Sequence, residues 1–96
     1  MRYYFVWDPA KARSNLAKHG VSFEIAAAAF ADPLLITRPD AHHGDRWITI
    51  GSSKEQLLVI VHIDTERTAD ESQEQIRIVS ARRATPRERR AYRDER

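Results

Sequence analysis

"LLVIVHID", residues 57–64, is the stretch on which the fold turns. It is far shorter than the ~20 residues a bilayer-spanning helix needs and is rich in leucine and β-branched residues, so it reads as a strand. Its apolar residues run on without the polar alternation of a half-exposed strand, which suits a central strand covered on both faces. Covers must therefore be sought on either side of it in the chain.

Upstream, "RWITIG" (Arg46–Gly51) is a second strand, joined through the turn "SSKE" at residues 52–55. "LLITR" at 34–38 is a third candidate, and "PDAHHGD" at 39–45 is a loop. Downstream, "TERTADESQE" (Thr65–Glu74) is an acidic, exposed connector leading to a strand "QIRIVSAR" at 75–82. Connections this short favour an antiparallel meander over crossovers.

The covers lie at the two ends. "RYYFVW" (Arg2–Trp7) is an aromatic strand stopped by Asp8-Pro9, a helix cap followed by a proline at the first helical position. The helix "AKARSNLAKH" ends at Gly20, and Ser22 caps a second, "FEIAAAAF", which Asp32-Pro33 terminates. In "TPRE", Thr85 and Glu88 have the spacing of a capping box, which predicts a helix over Pro86–Asp94. The expected fold is α+β: one domain over residues 1–96, with an N-terminal strand, two helices, an antiparallel meander sheet and a C-terminal helix.

Ninety-six residues suffice for one modest core. With no cysteine, neither a disulfide framework nor a thiolate metal site is available, and no apolar run is long enough for a membrane span or a signal peptide. A soluble, cytoplasmic protein is expected. Its charge is uneven: residues 1–76 carry 8 Lys+Arg against 11 acids, whereas residues 77–96 carry 8 Arg against 3 acids. The basic end and a pI near 9.3 point to a polyanionic partner.

On the last strand, strict alternation places Ile76, Ile78 and Ser80 on one face and Arg77, Val79, Ala81 and Arg83 on the other. If the isoleucines lie beneath the helices, Arg77 and Arg83 share an open, cationic groove suited to phosphate. The plainer reading is a solvated face, which accounts well for the exposed arginines of the last helix. Lys18 and His19, at the end of the first helix, complement its dipole. Alternatively they act on a substrate, Lys18 on phosphate charge and His19 as a proton carrier, since histidine's ordinary titration range spans neutrality. Tyr92 shares a helix face with Glu88 and Arg89, where it serves as an anchor or meets substrate. His42 and His43 are metal-capable but lack a defined ligand geometry, and His62 reads as an interior residue; no metal site and no cofactor are expected.

Three segments in order, "FVWDPAKARSNLAKHGVSFEIAAAAF", "DRWITIG" and "IRIVSARRATPRERRAY", resemble the BrnT toxin family from Phe5 to Tyr92. The resemblance implies a RelE-like fold and the toxin half of a type II toxin–antitoxin pair. It further implies a metal-independent endoribonuclease that cleaves RNA and inhibits translation. The implied partner is a BrnA-type antitoxin, a ribbon-helix-helix DNA-binding protein, joined in a heterotetramer that represses its own operon and reaches operator DNA only through the antitoxin. The family positions matched are Lys18, His19, Arg46, Arg77, Arg82, Arg83 and Tyr92. Lys18, His19, Arg77, Arg83 and Tyr92 form the expected catalytic set, and Arg46, Arg82 and Arg89 the expected RNA-binding set. The acidic connector Thr65–Glu74 departs from the family pattern. A non-catalytic nucleic-acid-binding module is the alternative.

Overall fold

In the computed structural model, which describes residues 2–67 and 73–94, one five-stranded sheet is ordered β1-β5-β4-β3-β2. The strands are β1 (Arg2–Val6), β2 (Ile36–Pro39), β3 (Trp47–Ser53), β4 (Gln56–Arg67) and β5 (Gln73–Arg83). As the apolar run predicts, β4 lies in the middle. β2 to β5 form the antiparallel meander, while β1 joins the far edge parallel to β5, with Phe5 opposite Ile76 and Val6 opposite Arg77. β3 and β4 are joined through Lys54 and Glu55, both at positive φ (52° and 64°), so the turn is two residues long rather than four. The middle of the acidic connector, residues 68–72, lies outside the described residues.

The caps form where the sequence puts them. The amide of Ala10 donates to Asp8 and that of Ile25 to Ser22, starting α1 (Pro9–His19) and α2 (Phe23–Ala28). Gly20 ends α1 at φ 70°, a backbone shape that glycine adopts at little cost. A short 3-10 turn, Ala29–Ala31, continues α2 and crosses β3 so closely that a Cβ on Gly51 would sit 2.8 Å from the Ala29 carbonyl oxygen. Only glycine fits there. The capping box of α3 (Pro86–Asp94) closes in both directions, Thr85 N–H to Glu88 Oε1 at 2.8 Å and Glu88 N–H to Thr85 Oγ1 at 3.2 Å.

Each face of the sheet has its own core. α1 and α2 cover Leu58, Ile60, Ile76, Ile78 and Ala81 with Val21, Phe23 and Phe30. On the opposite face α3 covers Ile50 and Val59 with Ala84 and Tyr92. Burial on both sides is what an apolar, non-alternating central strand requires.

Candidate functional site

Side chains opposite one another in paired strands point to the same face, so the register fixes where each arginine stands. His62 pairs with Ile78 but Val61 with Ser80, which leaves Val79 as an extra residue in β5. This β-bulge reverses the alternation. Ala81 therefore joins Ile76 and Ile78 in the core beneath α1 and α2, and Arg83 follows it onto that side. Arg77, Ser80 and Arg82 lie on the face that carries α3. The shared groove expected from strict alternation does not form: Arg77 and Arg83 stand on opposite faces of the sheet.

On the α3 face, the helix covers the end of the sheet built by Ile50, Val59 and Leu57. Val61, Ile63 and Val6 are half-buried outside that cluster, and Arg77 is exposed among them, opposite Ile63 and Val6. Among the described residues its side chain takes part in no hydrogen bond or ion pair. Arg38 and Arg87 are also exposed on this face and, with Ile48, Ile50, Glu88 and Ala91, line a cleft of about 190 Å³ between the sheet and α3.

Arg82 shares the face but is engaged. Its guanidinium grips Glu88 at both oxygens, 2.8 and 2.7 Å, and this bond, joined by those from Thr85, holds the Glu88 carboxyl down at about 2. The same Glu88 completes the helix cap. Arg82 therefore fastens α3 to the sheet.

Tyr92 is 7% exposed, with its ring in the core under α3 and its hydroxyl donating to Asp32 Oδ2 at 2.6 Å. Asp32 also accepts from the amides of Leu34 and Ser52. These contacts favour the anchoring role for Tyr92. Arg89 is exposed beside it, near the β3–β4 turn, and half-buried Arg46 closes the loop before β3 through its backbone.

Lys18 and His19 occupy the last turn of α1, exposed and half-buried respectively. α1 starts just after Val6, level with Arg77, and its Asn15 is bonded to Ala81, so the helix advances along β5 towards Arg83. Arg83 is exposed and donates to Gln56 at 3.2 Å. The structure thus divides the expected residues. Lys18, His19 and Arg83 gather towards one end of β5, and Arg77 stands about 20 Å back along the strand on the other face.

Asn15 is a structural residue that no motif of the sequence marks. Only 7% exposed, it donates to the carbonyls of Val21 and Ala81 and accepts from the amide of Ala81. Since β1 ends at Val6, the edge of β5 beyond Arg77 has no strand partner among the described residues, and this one amide takes the place of one. The available signal was an indifferent helix former in the middle of a short helix.

His62, 1% exposed, joins a chain of hydrogen bonds from Asp64 through its ring to Thr49 and on to Thr37, at 2.7, 2.7 and 2.8 Å. Burial against Phe30 lowers its pKa, and Asp64 only partly opposes that. The Asp64–His62 contact is accordingly a hydrogen bond to a neutral ring rather than an ion pair. In the unfolded chain the imidazole charges at its ordinary value of about 6.5, binding a proton the native state excludes. Stability should fall as pH drops through that range and be unaffected by His62 above it. Urea midpoints at pH 7.5 and 5.5 test this: the native protein should lose stability at 5.5, and His62→Gln should lose less. An equal loss in both removes His62 as the cause.

The family described as "Ribonuclease toxin, BrnT, of type II toxin-antitoxin system" has a sequence profile that matches residues 7–88. The chain belongs to this BrnT family. No curated protein matches it. The BrnT match takes in Lys18, His19, Arg46, Arg77, Arg82 and Arg83, and it stops short of Arg89 and Tyr92. A BrnT toxin acts on RNA and has an antitoxin for its partner, so exposed, unengaged cations are its first candidates for substrate contact. Of the expected set, Arg77, Lys18 and Arg89 meet that description, while His19 is half-buried beside Lys18. Among the described residues no group of three or more His, Cys, Asp or Glu side chains comes together to hold a metal ion, and no helix is long and apolar enough to cross a membrane.

Proposed function

We propose that this chain is an endoribonuclease that cuts RNA without a metal ion and so stops translation in the cytoplasm. The observation that carries the reading is Arg77, an exposed guanidinium, unengaged among the described residues, on the sheet face beside α3 in a member of a ribonuclease toxin family. Arg77, with Arg38 and Arg87, holds the phosphates of a bound strand. Chemistry is assigned to the other end of β5. Cleavage without metal needs one group to take the 2′-hydroxyl proton, another to protonate the leaving 5′-oxygen, and fixed positive charge on the phosphorane between them. Lys18 and His19 supply the proton transfers and Arg83 the charge. RNA several nucleotides long spans the two places.

A toxin of this kind needs a cover. A BrnA-type antitoxin with a ribbon-helix-helix domain, bringing carboxylates and apolar side chains onto the cationic surface, would block RNA and carry the complex to operator DNA, closing an autoregulatory loop in a heterotetramer. Purified protein incubated with single-stranded RNA in EDTA is expected to give discrete cuts, and His42→Ala with His43→Ala should cut equally well. A strict requirement for added divalent ion overturns the metal-free mechanism. RNA that is bound but never cut, with or without metal, favours a non-catalytic nucleic-acid-binding module.

A further inference from the structure

β1 divides its aromatic residues between the two faces of the sheet. Tyr3 and Phe5 turn to the α1/α2 side, where their rings lie 5.7 and 5.1 Å from Phe30. Tyr4, between them, points the other way. It is 52% exposed, the highest value among the exposed large hydrophobic residues, and among the described residues its ring meets no other aromatic ring. Its strand partner is Gln75, and the next partnered pair along the two strands is Phe5 with Ile76, then Val6 with Arg77. Tyr4 and Arg77 therefore share one face, one strand and two residues apart, about 8 Å between Cα atoms.

A large ring left in water on a sheet face that has an apolar floor and a free guanidinium beside it is not explained by packing. Removing it would cost the core little. It does match the two demands of a single-stranded nucleotide: a flat apolar surface for the base and a fixed cation for the phosphate. We propose that Tyr4 and Arg77 together form a nucleotide subsite on the open sheet face, with the base of single-stranded RNA stacked on the Tyr4 ring and its phosphate held by Arg77. The inference rests on the RNA-cleaving reading above and adds to it a residue outside the segment that matches the BrnT family, which begins at residue 7. A stacked base is read by its face, so the subsite fixes the position of the strand without demanding a sequence. Duplex RNA, whose bases are already stacked on one another, gains nothing from it.

The test compares Tyr4→Ala and Tyr4→Phe with the native protein, using a fluorescent single-stranded RNA carrying 2′-O-methyl groups for binding and its unmodified counterpart for cleavage. Tyr4→Ala should weaken single-strand binding about tenfold, as loss of one stacked base does. It should leave duplex binding and the cleavage rate at saturating RNA unchanged, while Tyr4→Phe, which keeps the ring face, binds within about twofold of native. Equal single-strand affinity of Tyr4→Ala and native protein, in a protein that cuts RNA, overturns the subsite and leaves the nuclease standing. Ring-dependent binding by a protein that never cuts keeps the subsite and removes the nuclease. Loss of antitoxin binding with RNA affinity intact would mean that Tyr4 is a protein contact, which also overturns the proposal.

Discussion

Asn15→Ala is expected to unfold the protein about 15 °C below the native chain. The side chain amide makes three hydrogen bonds in a buried setting, to the carbonyls of Val21 and Ala81 and from the amide of Ala81. Alanine leaves all three backbone groups without a partner and admits no replacement from the strand side, where β1 has already ended. Each such group costs about 1–3 kcal/mol when stranded, so a total near 3 kcal/mol is the low end. For a domain of this size each kcal/mol moves Tm by roughly 4–8 °C. Asn15→Asp should do little better, because a carboxylate accepts from Ala81 but repels two carbonyl oxygens. Thermal unfolding followed by circular dichroism reads the effect, and an alanine variant within about 3 °C of native would mean that water serves this edge as well as Asn15 does.

His19→Ala and Arg83→Ala should each slow RNA cleavage at saturating substrate by about a hundredfold. A positioned proton carrier contributes on the order of 10²–10⁴ in rate, and a fixed donor aimed at developing negative charge about 10²–10³. A hundredfold corresponds to about 2.7 kcal/mol of transition-state stabilisation, within the reach of either. Both side chains are at least partly exposed, so the variants should fold and bind RNA nearly as well as native. Lys18→Ala should resemble them. Tyr92→Phe, by contrast, loses the hydrogen bond to Asp32, and its expected effect is on the seating of α3. Unaltered plateau rates for His19→Ala and Arg83→Ala would move the chemistry away from this end of β5.

Much of the fold was legible because it depends on local chemistry. Asp8, Gly20, Ser22 and the Thr85–Glu88 pair cap helices by contacts within a few residues, and the apolar run of β4 needs no distant information to be read as central. Three features were not legible. The extra residue at Val79 is set by how β5 registers against β4, and no glycine or proline marks it, so strict alternation put Arg83 on the wrong face. The parallel pairing of β1 with β5 joins segments about seventy residues apart. The tie between Tyr92 and Asp32 likewise spans the chain, which is why the tyrosine could be read as an anchor or a substrate contact from sequence but takes the anchoring position once α3 is docked. The arginines show the same limit. Their number announced a polyanion, yet Arg82 is consumed by Glu88, a neighbour six residues away, while Arg77 stays open.

Binding and chemistry are proposed on opposite faces of β5, and the rate of cleavage by Arg77→Ala against protein concentration tests that division. With protein in excess over a labelled single-stranded RNA in EDTA, cleavage by this variant should approach the native plateau but need about tenfold more protein to reach half of it, the loss expected for one phosphate-binding arginine. A plateau lowered a hundredfold with half-saturation unchanged would place Arg77 at the scissile phosphate and contradict the division.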